Sequence, residues 1–165
     1  MSIKKFFASK DNTITNAFKE NLVSSGSLSN MGQSDILEIF SIYAQASSSS
    51  LETSRILVEF PISEVISERT AGNLPASGSV SFKFKLFNAP HSETLPKEYN
   101  ISSYAVSKEW TEGSGLDMES YTDLGASNWV SSSNLVEWAT PGGDFITSSY
   151  IKQCSFKKGN EDLEI

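Results

Sequence analysis

The chain has one cysteine, one histidine and five prolines in 165 residues. A lone cysteine excludes an intrachain disulfide framework and any zinc site built on several thiolates. The one imidazole, His91, sits in the loop-like stretch "NAPHSETLPKEYN". Cys154 lies in "IKQCSFKK", whose alternation reads as a strand with a small buried thiol rather than a Cys–His dyad. No apolar run approaches the ~20 residues that span a bilayer, so membrane insertion is not expected. The opening "MSIKKFFASKDN" has two lysines but neither the apolar stretch nor the cleavage site of a signal peptide. Positive charge is scarce: 13 Lys and Arg stand against 20 Asp and Glu, a net charge of −7. A phosphate-backbone binder needs a basic face, and the densest basic cluster is only Lys4, Lys5 and Lys10, so nucleic acid is not an expected partner.

What is present suits one all-β domain over residues 1–165, with 38% hydrophobic and 20% charged residues. Ile3 to Ala8 reads as an opening strand. In "TITNAFKENL" Ile14, Ala17, Phe18 and Leu22 fall at helical spacing behind a Thr13 cap, while the β-branched start and the asparagines favour strand and loop, which is the expectation. "ILEIFSIYA", Ile36 to Ala44, is apolar on both faces, which predicts a central, covered strand or one that meets a partner. "SRILVEFP" places Ile56, Val58 and Phe60 inward and Leu57 outward, and "ISEVISERTAG" holds one or two helical turns stopped by Gly72. "SVSFKFKLF" alternates cleanly, with Val80, Phe82, Phe84 and Leu86 inward. "ISSYAVSKEW", "LVEWA", "DFITSSYIKQCSF" and "DLEI" supply further strands. Eight or nine short strands with at most one short helix predict an antiparallel β-sandwich or jelly roll with long Trp- and Gly-containing loops.

The residues with most chemical content lie between Val106 and Phe145. "VSKEWTEGSGLD" and "SNWVSSSNLVEWATPGGDF" gather three tryptophans, several carboxylates and four glycines. Trp110, Trp129, Trp138 and Tyr121, with Glu112, Asp117 and Asp123, are a set from which a carbohydrate platform can be built, since sugars stack on flat aromatic faces flanked by carboxylates. The other reading is structural. The indoles lie over the sheet edge, their N–H groups bond loop carbonyls, and Gly113, Gly115, Gly142 and Gly143 permit tight turns. Trp138, on a strand-like segment, favours the core. Arg55, between Glu52 and Glu59, is either an anion clamp or a residue that holds a loop. Carboxylate pairs such as Glu109 with Glu112, or Asp117 with Glu119, have no fixed separation, so no catalytic residue is assigned. "GSGLD" lacks the lysine of a phosphate loop, and "EDLEI" lacks calcium-loop spacing, so neither cofactor nor metal is expected.

The order of short motifs resembles the DNRLRE-type β-sandwich domains. These occur as modules of secreted and cell-surface bacterial proteins and in virion proteins of tailed bacteriophages. The matching residues are Asp11 with Ile14; Asn30, Gly32, Ser34 and Leu37; Ser54, Arg55, Leu57, Phe60, Ile62, Ser63 and Val65; Phe82 to Leu86; Trp110, Glu112 and Gly113; Trp129; and Trp138, Pro141, Gly142, Gly143 and Asp144. They extend over nearly the whole chain. The hexad that names the family is absent, with only Glu52-Thr53-Ser54-Arg55 as an echo, and the family's next strand would begin near Leu163-Glu164-Ile165. That strand is expected from a longer chain or from a partner. The serine- and asparagine-rich texture and the acidic balance point, within that resemblance, to a virion protein of a marine phage. The resemblance implies a non-enzymatic structural or assembly protein located in the virion, whose partners are other virion proteins, copies of itself and, on the alternative reading, host surface glycans. Phe6, Phe7, Phe40 and Tyr43 are the expected contact residues.

Overall fold

The computed structural model of the chain describes residues 3–90 and 98–148, and the backbone of 152–157 and 162–164. Nine strands occur in it: β1 Lys10–Thr15, β2 Ser41–Tyr43, β3 Leu51–Glu59, β4 Lys85–Phe87, β5 Glu98–Ser103, β6 Ser131–Ser133, β7 Val136–Glu137, β8 Lys152–Lys157 and β9 Asp162–Glu164. One helix, α1 (Ile62–Thr70), and a single 3₁₀ turn at Ser77–Ser79 complete the described elements. The fold is all-β with one short helix, and every strand pairing is antiparallel. The contacts divide into two compact units, Met1–Ile62 with Lys108–Asp144, and Ser63–Ser107 with Phe145–Ile165.

The first unit is built on a sheet of order β1-β3-β2. β1 pairs with β3 from Lys10↔Glu59 to Thr15↔Ser54. Directly opposed residues share a face, so Asn12 with Leu57, and Ile14 with Arg55, lie on one side. That side is the core: Ile14, Leu57, Trp110 and Trp138 are buried together, with Trp129 packed against them. The expected polarity of β3 is therefore reversed. Leu57 is its buried apolar residue, while Ile56, Val58 and Phe60 are half-covered, because the indole-bearing segments roof the face that Leu57 occupies. The β6–β7 hairpin belongs to the same roof, through Ser132 O accepting Thr111 N–H at 2.9 Å and Val130 O accepting Trp138 N–H at 2.9 Å.

Of two expected strands in this unit, one does not form and the other is shorter than its apolar pattern. No strand forms over Ile3 to Ala8, and Ile3 and Phe7 are exposed. After Ser9 N–H reaches Glu59 O at 2.8 Å the partner runs out, since Pro61 follows and has no N–H to offer. Ile36 to Ala44 is strand only over Ser41–Tyr43, and it is an exposed edge rather than a covered centre. Hydroxyl groups intercept its backbone. Thr13 Oγ1 accepts Glu38 N–H at 3.0 Å, and Ser54 Oγ accepts Phe40 N–H at 2.8 Å while donating to Glu38 O at 2.9 Å.

In the second unit β4 pairs with β9 and β5 with β8. α1 ends as its sequence indicates: Gly72 has φ +76°, and Asn73 N–H returns to Glu68 O at 2.9 Å. The alternating stretch at Val80 to Phe87 is strand only at β4, and Phe82 and Phe87 are exposed. Phe82 instead lies beneath the Arg69 guanidinium, 5.9 Å from the ring centre. Cys154 is in β8, consistent with its strand-like surroundings, whereas His91 falls outside the described residues.

Candidate functional site

Three serine- and asparagine-rich segments converge on the roof of the first unit, and their amides explain why the sequence needs those residues. Asn30 is fully buried and uses its whole side chain. Its Nδ2 donates to Glu112 O at 2.7 Å and to Ser127 O at 2.9 Å, and its Oδ1 accepts N–H from Gly32 at 3.2 Å and Gly115 at 2.8 Å. Asn12, also fully buried, donates from Nδ2 to Ser127 O at 3.0 Å and Ser127 Oγ at 2.8 Å, and accepts Met31 N–H at 3.1 Å. Asn128 accepts N–H from Val130 and Ser131, both at 2.8 Å, and its carbonyl takes the Trp138 indole N–H at 2.8 Å. Buried polar groups are tolerable only when paired, and here the amides replace backbone ladders that irregular loops cannot form.

The glycines of "WTEGSGLD" and "PGGD" are read by the same packing. A Cβ on Gly115 would stand 1.9 Å from Asn30 O. Gly142, at φ +94°, sits where a Cβ would be 2.7 Å from the Arg55 guanidinium and 2.9 Å from the Trp129 ring. Arg55 donates from Nη1 to Gly142 O at 2.6 Å and lies 5.0 Å over Trp129, and burial pushes its pKa down. It holds a loop.

Of the residues expected to form a carbohydrate platform, Trp110 is 7% and Trp138 4% exposed, so neither presents a flat face. Trp129 is partly covered, with Arg55 over its ring. Glu112 is half-buried, accepting Asp11 N–H at 2.8 Å through Oε1. Burial, and then the Glu112 charge, raise the Asp11 pKa above its ordinary 3.8. Asp117 caps a turn through Glu119 N–H at 2.8 Å and Ser120 N–H at 2.7 Å, and Tyr121 is exposed. Asp123 likewise caps Gly125 N–H at 2.9 Å. Asp144 accepts N–H from Ala139 at 3.0 Å and Thr140 at 3.1 Å and faces Lys108 Nζ at 3.6 Å. The Ala139 bond, with the Thr140 bond and Lys108, outweighs burial and lowers its pKa.

Beside Trp110 a cleft of about 410 Å³ is lined by Lys10, Glu59, Glu109, Trp110, Thr111 and Ser133. Lys10 Nζ pairs with Glu59 at 3.0 Å and lies 5.8 Å from the Trp110 ring centre. Among the described residues no group of three or more His, Cys, Asp and Glu side chains gathers as a metal site, and no helix is long and apolar enough to cross a membrane.

Of the expected contact residues, Phe7 is 81% and Tyr43 69% exposed, while Phe6 and Phe40 are half-buried. Tyr43 pairs with the exposed Leu51 across β2 and β3, and the nearby Ile36, Ile39 and Ile42 are exposed as well. The thirteen residues from Ile39 to Leu51 contain no charged side chain. Comparison of the chain with family models, with curated proteins and with solved structures finds no match.

Proposed function

We propose that the chain is a non-enzymatic structural and assembly protein of a tailed-bacteriophage virion, held in a tail, neck or fibre-type appendage by subunit contacts. The observation that carries this reading is the uncharged, exposed stretch Ile39–Leu51 on a chain of net charge −7. Exposed apolar side chains gathered in one uncharged segment are the signature of a surface meant to be covered. The motif order resembling DNRLRE-type domains supports the virion setting. The buried amide network supports the mechanical part of the role, since fully paired polar cores rigidify the unit that carries the contact. Mass spectrometry of purified phage particles tests the reading. The chain is expected as a stoichiometric component lost together with its appendage when its gene is deleted; absence from particles sinks it.

A second reading, a carbohydrate-binding module, draws on the cleft beside Trp110 rather than on a platform of three indoles. It predicts a saturable fluorescence change with host glycans that Glu109→Ala removes without loss of folding.

A further inference from the structure

We propose that β2 pairs edge to edge with β2 of a second copy, antiparallel about a two-fold axis at Ile42, which names the contact that the assembly reading requires and rests on that reading for its purpose. The sheet β1-β3-β2 has two outer edges. The edge at β1 is closed: Asp11 N–H is taken by Glu112 Oε1 at 2.8 Å, and Asn12 to Thr15 are buried. The edge at β2 is open. Ala44 N–H donates to Ser50 O at 2.8 Å and Ser54 N–H to Phe40 O at 3.0 Å, in the register that pairs Ile42 with Glu52. The even-numbered residues of this strand therefore face β3, and by the alternation of an antiparallel ladder the N–H and C=O groups of Ser41 and Tyr43 point away from the sheet. Among the described residues nothing bonds them.

An unpaired edge is ordinarily blunted by shortness, a charge, a proline or a bulge, and of these β2 has only its three-residue length. Between Ile39 and Leu51 there is neither a charged residue nor a proline. The flanking Glu52 turns inward, where it is 1% exposed and accepts Phe18 N–H at 3.0 Å.

The strand is also self-complementary. A two-fold at Ile42 opposes Ser41 with the second copy's Tyr43, and each such pair exchanges two N–H···O bonds, while the two Ile42 side chains meet as a close apolar pair. The seam, Ser41 to Tyr43, contains no charged side chain, so two copies that each carry −7 bring no acids together along it. The contact is small, so the dimer is weak and reversible, and repetition within an assembly strengthens it.

Sedimentation of the full chain over a concentration series, with the Tyr43→Pro variant alongside, tests the proposal. Proline at 43 removes an outward N–H that makes no bond within the sheet, a change that edge strands tolerate. The native chain should dimerise reversibly, and Tyr43→Pro should raise the dissociation constant by about tenfold or more with its unfolding midpoint kept. Should the proline variant unfold, Ile42→Cys in a Cys154→Ser background carries the test. It should cross-link to a covalent dimer under mild oxidation, whereas Ser48→Cys should not. A native chain that stays monomeric, or a dimer indifferent to Tyr43→Pro with no selectivity for the Ile42→Cys cross-link, overturns the pairing. A monomer that instead binds an uncharged extended peptide, with Tyr43→Pro abolishing the binding, overturns the choice of partner. Monomers in solution together with the chain in purified particles remove the pairing and leave the assembly reading standing; dimers with the chain absent from particles do the reverse.

Discussion

Replacing Asn30 by alanine removes one side chain but orphans three backbone groups. The Glu112 carbonyl loses its donor and the N–H groups of Gly32 and Gly115 lose their acceptor, all around a residue with no solvent exposure, while the Ser127 carbonyl keeps Asn12 Nδ2 at 3.0 Å. An unpaired buried polar group costs ~1–3 kcal/mol. Allowing water to enter the space and recover one of the three, the loss is about 4 kcal/mol, a large share of the ~5–15 kcal/mol that holds a domain. Asn21→Ala is the control: its Oδ1 also accepts two N–H groups, from Val23 at 2.9 Å and Ser24 at 2.8 Å, but in an exposed turn where water replaces it, so its cost should stay near 1 kcal/mol or below. Urea unfolding followed by tryptophan fluorescence suits the comparison, because Trp110, Trp129 and Trp138 all belong to the unit that contains Asn30. If Asn30→Ala costs no more than Asn21→Ala, the amide network does not hold the roof together and the account of the site fails.

Four further outcomes follow from the structure. Gly115→Ala should cost more than ~3 kcal/mol, because its Cβ meets the Asn30 carbonyl, whereas Gly72→Ala, with open space around it, should cost about 1 kcal/mol for its positive φ alone; urea midpoints decide between them. Arg55→Lys should lose ~1–2 kcal/mol and speed protease cleavage in the Thr140–Asp144 loop, since one ammonium cannot both lie flat on Trp129 and reach Gly142 O. Asp144 has a folded pKa below its ordinary 3.8, so its stabilisation is present above that value and is lost as pH falls through the folded value; Asp144→Asn should flatten the acid limb of stability against pH. Asp11, raised above 3.8 by burial and Glu112, works the other way: Asp11→Asn should stabilise near neutral pH, with the gain fading as pH falls through the raised value.

Much of the architecture is written in local pattern. The all-β class, the helix ending at Gly72 and the long Trp- and Gly-containing loops all follow from residue type, because strand alternation, caps and turns are short-range properties. Trp138 is buried, as its strand-like segment suggests, and Arg55 holds the Gly142 loop rather than standing free. The extent of the strands was not legible. Apolar alternation over Ile36 to Ala44 and Val80 to Phe87 marks a capacity to pair, but a strand lasts only while a neighbour supplies N–H and C=O groups, and Thr13 and Ser54 hydroxyls intercept those of Glu38 and Phe40.

The asparagines show the division most clearly. Sequence alone placed Asn30 two residues before Gly32 in a turn-like stretch, and nothing local distinguishes it from the exposed Asn21. Its burial is decided by Glu112, Gly115 and Ser127, which lie more than eighty residues away along the chain and reach it only when the roof closes on the sheet. Composition and periodicity determined that this polypeptide makes short antiparallel strands and carries an acidic charge balance. Which face of β3 is inside, which amides are buried and which edge stays open were settled by tertiary packing, because each depends on a partner that local sequence does not contain.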